Sequence, residues 1–132
     1  MNKLKGIIIS VEVCDSLSLV TVQCEDAFFS VIIIETPQTV DYLIKNKAIN
    51  ILFKETEVIL ASDETHKISI ENVFPCKITD IKKGKLLSSI RLLFNENELT
   101  SIITSQSLEK LKLEPGMRIT AMVKTNEIML AQ

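Results

Sequence analysis

"ILFKETEVILAS" occupies residues 51–62, and "MVKTNEIMLAQ" occupies residues 122–132. Lys54 and Lys124 fall at the same place in the two stretches, as do Glu57 and Glu127, Leu60 and Leu130, and Ala61 and Ala131. The offset is 124 − 54 = 70 residues, and it holds along the whole chain without an insertion. Asn2 meets Asn72, Ile8 meets Ile78, Leu17 and Ser18 meet Leu87 and Ser88, and Leu43 meets Leu113. Self-similarity at one fixed period is the mark of a duplicated structural unit. It divides the chain into repeat one, residues 1–65, and repeat two, residues 66–132, with the polar residues 62–67 as a linker.

Each repeat reads as the same string of elements. Residues 4–14 and 73–83 are long runs rich in β-branched residues, as strands are. Turns follow at Asp15 and Ser16, and at Lys83, Gly84 and Lys85. Second strands are "LSLVTVQC" and "LLSSIRLLF", and third strands are "AFFSVIII" and "ELTSIIT". A short helix is expected next in both repeats. Thr36 is its cap in repeat one, with Pro37 at the first helical position, and Ser105 is its cap in repeat two. Asn46 and Gly116 align, and both tolerate the left-handed backbone of a helix C-cap. Two closing strands complete each repeat. The expected fold is mainly β: two tandem five-stranded barrels of the oligonucleotide/oligosaccharide-binding (OB) type, each with one short helix.

The 132 residues suit one ordinary domain or two very small ones. Apolar residues are 46% and charged residues 24%, the composition of a chain that folds in water. No apolar run reaches the roughly 18 residues of a membrane helix, and the N-terminus lacks a cleavage signal, so a cytoplasmic protein with no membrane partner is expected. Cys14, Cys24 and Cys76 are widely spaced, and His66 is the single histidine. Neither a disulfide framework nor a metal site is expected from them, and His66 is placed in the linker. Residues 1–66 carry five Lys and ten acidic residues, for −5; residues 67–132 carry ten basic and seven acidic residues, for +3. The second half therefore favours an anion, but neither half is basic enough for direct nucleic-acid binding.

Repeat two gathers hydroxyl groups and a lysine in three short segments. They are "KISIEN" with Ser69, Glu71 and Asn72, "ITSQS" with Thr104 and Ser107, and "VKTN" with Lys124 and Thr125. A tetrahedral dianion presents four acceptor oxygens, which hydroxyls, backbone N–H groups and one cation can satisfy. Thr104 and Ser107 flank a helix start, where free N–H groups and the helix dipole favour negative charge.

These segments, in this order, resemble the Mop or TOBE domain of molybdate-binding proteins. That family has Ser-Ala-Arg-Asn at the start, Ile-Thr-x-x-Ser at the helix and Val-Lys-Ala-Ser before the last strand. The resemblance covers repeat two fully and repeat one in outline. The tandem arrangement is similar to that of the di-Mop storage proteins (molbindins) and of the effector half of the molybdate-responsive transcription regulator. It implies molybdate or tungstate as ligand, no cofactor, and an oxyanion site at Ser69, Glu71, Asn72, Thr104, Ser107, Lys124 and Thr125. It also implies a site where two Mop units meet, and hence a homodimer or higher homo-oligomer.

Two departures stand out. Glu71 occupies the family's Arg position, where a carboxylate repels a dianion unless it points away and offers its backbone N–H. Strand alternation would put Ser69 and Glu71 on the same side. Repeat one has lost more: Ile34 and Pro37 replace Thr104 and Ser107, and Glu55 replaces Thr125. Repeat one therefore reads as structural. No histidine beside a nucleophile, paired carboxylates or metal cluster points to an enzyme. The rival reading is a ligand-free dimerisation module with a degenerate oxyanion site.

Overall fold

The computed structural model describes residues 1–62 and 67–132. The expected repeat boundary at residues 65 and 66 lies outside the described residues, as does His66. Ten strands are described. In repeat one they are β1 (Asn2–Cys14), β2 (Leu17–Cys24), β3 (Ala27–Ile33), β4 (Ala48–Phe53) and β5 (Ile59–Ala61). In repeat two they are β6 (Asn72–Lys82), β7 (Leu87–Phe94), β8 (Asn97–Thr104), β9 (Arg118–Val123) and β10 (Met129–Ala131). Helix α1 (Ser105–Leu111) follows β8, and single 3-10 turns, Glu55–Glu57 and Thr125–Glu127, precede β5 and β10. The fold is mainly β, with two five-stranded antiparallel sheets of the OB type.

The local grammar is that of the sequence. Along β2, Ser18, Val20, Val22 and Cys24 are buried and the residues between them are not, the period-two pattern of a half-buried strand. Asp15, Glu25 and Asn95 adopt positive φ in the hairpin turns, the conformation that lets a tight turn follow the strands' twist. The ladders of β1 and β6 both shift register, between Ile8 and Ser10 and between Ile78 and Asp80. The two bulges fall at equivalent positions. Each bends a long strand so that one half pairs with the second strand of its repeat and the other half with the fourth.

The sheets are not built repeat by repeat. Their strand orders are β10-β4-β1-β2-β3 and β5-β9-β6-β7-β8. Leu130 pairs with Ile51, and Leu60 pairs with Ala121, so each closing strand crosses to the other repeat's sheet. A single hydrophobic cluster accordingly draws on both repeats. At its heart Phe29, Phe74 and Phe94 pack edge-on or tilted, with ring centroids 4.9–6.1 Å apart.

Two asparagines fasten the sheets to each other. Asn2 Nδ2 donates to the Thr100 carbonyl at 2.8 Å, and the Thr100 N–H donates to Asn2 Oδ1 at 2.8 Å. Asn72 does the same on Ser30, at 2.8 and 2.7 Å. Each amide imitates one rung of a β-ladder where the first strand of a repeat begins, and both side chains are buried.

Two expectations about the helix are corrected. Residues 36–44 form a turn and not a helix. The Thr39 and Val40 N–H groups both return to the Thr36 carbonyl, and the Thr36 N–H donates to Thr39 Oγ1, so one helical turn is capped and closed but not continued past Val40. In repeat two the cap is Thr104, one residue before the expected Ser105, and the helix closes on Lys112 in the left-handed conformation. Asn46 and Gly116 do have positive φ, but each lies in the turn into the next strand and donates its N–H to β1 or β6.

Asn72→Ala removes two buried hydrogen bonds and leaves the Ser30 N–H and carbonyl without partners. It should lower stability by about 1–3 kcal/mol, measured by urea unfolding with an unchanged slope.

Candidate functional site

The strand exchange creates two equivalent junctions between the sheets. At the first, β4 ends at Phe53 and Lys54 leads into the turn Glu55–Glu57, which packs against β8. Ser101 Oγ on β8 donates to the Val58 carbonyl at 2.8 Å and holds the turn there. Thr104 ends β8, and Ser107 follows in the first turn of α1. They share an open groove of about 450 Å³ with Thr56, Ile59 and Leu60 of repeat one.

At the second junction β9 ends at Val123, and Lys124 leads into the turn Thr125–Glu127, which packs against β3. Asn72 pairs with Val123, so Glu71 and Lys124 stand at the next step outward, and both are exposed. Ser69 is exposed in the bend ahead of β6. Because β6 begins at Asn72, strand alternation does not extend to Ser69. Beyond β3 come Ile34, Glu35 and Thr36, which offer no counterpart of the Thr104 and Ser107 pair.

The expected site residues are thus divided. Glu71, Asn72, Lys124 and Thr125 lie at the second junction, with Ser69 in the bend that leads to it, and Thr104 and Ser107 sit at the first. Asn72 has its amide on the Ser30 backbone and acts there as a clasp. Thr104 Oγ1 accepts the Ser107 N–H at 3.1 Å and donates to Ser107 Oγ at 2.9 Å. That chain leaves the Ser107 hydroxyl proton to donate outward. The α1 segment is seven residues long, and its cap absorbs one of the N–H groups otherwise free for an anion.

Repeat one answers in the opposite charge. Glu55, at the position of Thr125, accepts from the Met1 amino group at 2.7 Å. That hydrogen bond, helped by one from its own backbone, holds the Glu55 carboxyl below the usual carboxylate range. Sequence reasoning passed over this pair, because Met1 aligns with Glu71 and an amino group at that position is not part of the repeat's side-chain pattern. Among the described residues no cluster of His, Cys, Asp and Glu is placed to hold a metal ion, and no helix is long and apolar enough to cross a membrane. Burial, followed by the nearby Glu25 carboxylate, pushes the Cys24 thiol up to about 11. Burial pushes the Cys76 thiol up to about 12, while Cys14 is exposed.

The family model of the TOBE domain matches residues 68–130. Molybdenum-pterin-binding protein 1 of Clostridium pasteurianum is 33% identical over 64 residues, which are 48% of this chain and 94% of that protein. The chain belongs to the TOBE-domain family of Mop proteins. Molybdenum-pterin-binding protein MopB of Rhodobacter capsulatus is 30% identical over 66 residues, 49% of this chain but 24% of that longer protein. Among solved structures, a molybdate-binding protein from Sporomusa ovata is 33% identical, with a TM-score of 0.50, and covers 51% of this chain and 100% of its own. The cytoplasmic molybdate-binding protein ModG, solved with molybdate bound, superposes with a TM-score of 0.92 over 98% of this chain and 94% of its own. At 20% identity that likeness concerns the fold, and it spans both repeats.

Two measurements follow from the geometry. Thr104→Ala should cost about 1 kcal/mol through the lost cap, and Ser107→Ala, which keeps its N–H bonded to Thr104, should cost less; thermal melts of the two variants check this. A maleimide or disulfide reagent at mildly alkaline pH should label one thiol of the native protein, Cys14, with Cys24 and Cys76 reacting on unfolding.

Proposed function

We propose that this chain binds a tetrahedral oxyanion of the molybdate or tungstate type, reversibly and in the cytoplasm, as part of storage, homeostasis or sensing. The reading rests on the second junction, where Lys124 supplies a cation, Ser69 and Thr125 supply hydroxyls, and the N–H groups ahead of β6 supply further donors. Support comes from the family and from relatives whose names and bound ligand concern molybdenum. The role is binding and not catalysis. Among the described residues a single α-helix is present, so these residues build no helix-turn-helix for reading DNA.

One observation carries the rest of the proposal. Within a single chain, Thr104 and Ser107 lie at one junction while Ser69, Lys124 and Thr125 lie at the other. Neither junction alone holds the full set of donors. A second copy that sets its first junction against this chain's second would complete the set, so the binding form is a homodimer or a higher homo-oligomer. The apolar groove beside Thr104 and Ser107, with Ile59 and Leu87 exposed along it, is surface that such an arrangement covers.

Calorimetric titration with molybdate tests both parts. Lys124→Ala should weaken binding by about 1.5–3 kcal/mol, the value of one charge-assisted hydrogen bond. The double variants Thr104→Val/Ser107→Ala and Lys124→Ala/Thr125→Ala should each bind poorly, and refolding them together should restore sites. A wild-type monomer that binds molybdate would refute the shared site. A flat trace with wild type would favour the ligand-free dimerisation module.

A further inference from the structure

We infer that Glu71 makes the site select an oxyanion that carries a proton, so that binding takes up one proton per anion. The inference rests on the oxyanion reading above and concerns the ligand's chemical form. Glu71 and Lys124 are the residues next outward from the Asn72–Val123 pair that ends the ladder, and both are exposed. An anion held by Lys124 and Thr125 therefore lies against a carboxylate.

Among the described residues, the charges around that point do not cancel the carboxylate twice. After β9 there is Lys124, and in the turn that follows Glu127. Ahead of β6 there is Lys67. The facing strand β3 carries no titratable side chain, and the turn after it carries Glu35, which accepts from Thr39 Oγ1 at 2.6 Å. Glu71 with Lys124 makes a neutral pair. A neutral pair has little net attraction for a bare dianion, and the carboxylate oxygens face the anion's oxygens as acceptor against acceptor.

One proton resolves the clash. Placed between a Glu71 oxygen and an anion oxygen, it turns a repulsion into a short charge-assisted hydrogen bond. The proton comes from solvent when the anion arrives bare, and with the anion when it arrives protonated. Hydrogen phosphate always carries such a proton near neutral pH, molybdate acquires one as pH falls, and sulfate carries none in this range. By linkage, an anion that arrives bare should bind ~tenfold more weakly for each unit of rising pH.

The test is calorimetry on the full chain, wild type and Glu71→Gln, with molybdate, phosphate and sulfate as probes. Each titration is run between about pH 6 and 8, in two buffers of different ionisation heat, so that protons taken up are counted. Glu71 is exposed, so Glu71→Gln should fold as wild type does, and circular dichroism checks this. Wild type should take up about one proton per molybdate, lose affinity ~tenfold per unit of rising pH, and let phosphate compete better than sulfate. Glu71→Gln should take up none, bind molybdate with a flat pH profile and lose the preference for phosphate over sulfate. Wild type and variant that bind molybdate with the same proton count overturn this inference and leave the oxyanion reading standing. Failure of both proteins to bind any of the three anions overturns the two together.

Discussion

Each sheet is finished by a strand that belongs, by sequence, to the other repeat. β5 lies beside β9, and β10 lies beside β4, so neither repeat completes its own hydrogen-bond ladder. Everything near the candidate site follows from that reciprocity. The two 3-10 turns exist because the chain must step from one sheet to the other. They lie against the third strand of the other repeat, Glu55–Glu57 on β8 and Thr125–Glu127 on β3, with Lys54 and Lys124 exposed where each turn begins. The asparagine clasps secure the same crossings from the other side, each where a first strand begins.

On that common frame the repeats have parted in chemistry. Phe29, Phe74 and Phe94 fill one part of the core, and their equivalents under the repeat are Leu99, Leu4 and Cys24, all buried. Three aromatic rings on one side and two leucines with a thiol on the other make the halves non-interchangeable in volume. The junction surfaces diverge in charge. Glu55 is engaged with an amino group at the first, while Lys124 with Ser69 and Thr125 occupies the second. Shared backbone and separate side chains are what a duplicated fold permits, because function lies in the site and not in the architecture.

Much of this was legible in the sequence, and the reasons differ from element to element. Alternation along β2 and the turn residues Asp15, Glu25 and Asn95 are local signals, so strands and hairpins could be read directly. The segment at residues 36–44 was misread as a helix because its start is that of a helix, with Thr36 capping one closed turn, while the turn is not continued past Val40. The exchange itself left no trace. "ILA" of β5 and "MLA" of β10 are near copies, so either would satisfy either sheet's pattern. For that reason the identities of Ser69, Thr104, Ser107, Lys124 and Thr125 could be picked out by type, while their division between two junctions could not. Asn72 illustrates the same limit: an amide in a polar motif looks like a ligand until its partner on Ser30, 42 residues away, is known.

The exchange also orders events in time. As the chain leaves the ribosome, β1 to β4 emerge first, yet the free edge of β4, at Asn50, Ile51 and Leu52, has to wait for residues 129–131. Until then the early sheet leaves β4 unpaired on that side, the kind of surface on which nascent chains pair wrongly with one another. Contacts that span so much of the sequence close slowly. Residues 129–131 therefore act as the latch of a part translated long before them, and a ribosome that stalls ahead of them leaves behind an unfinished sheet.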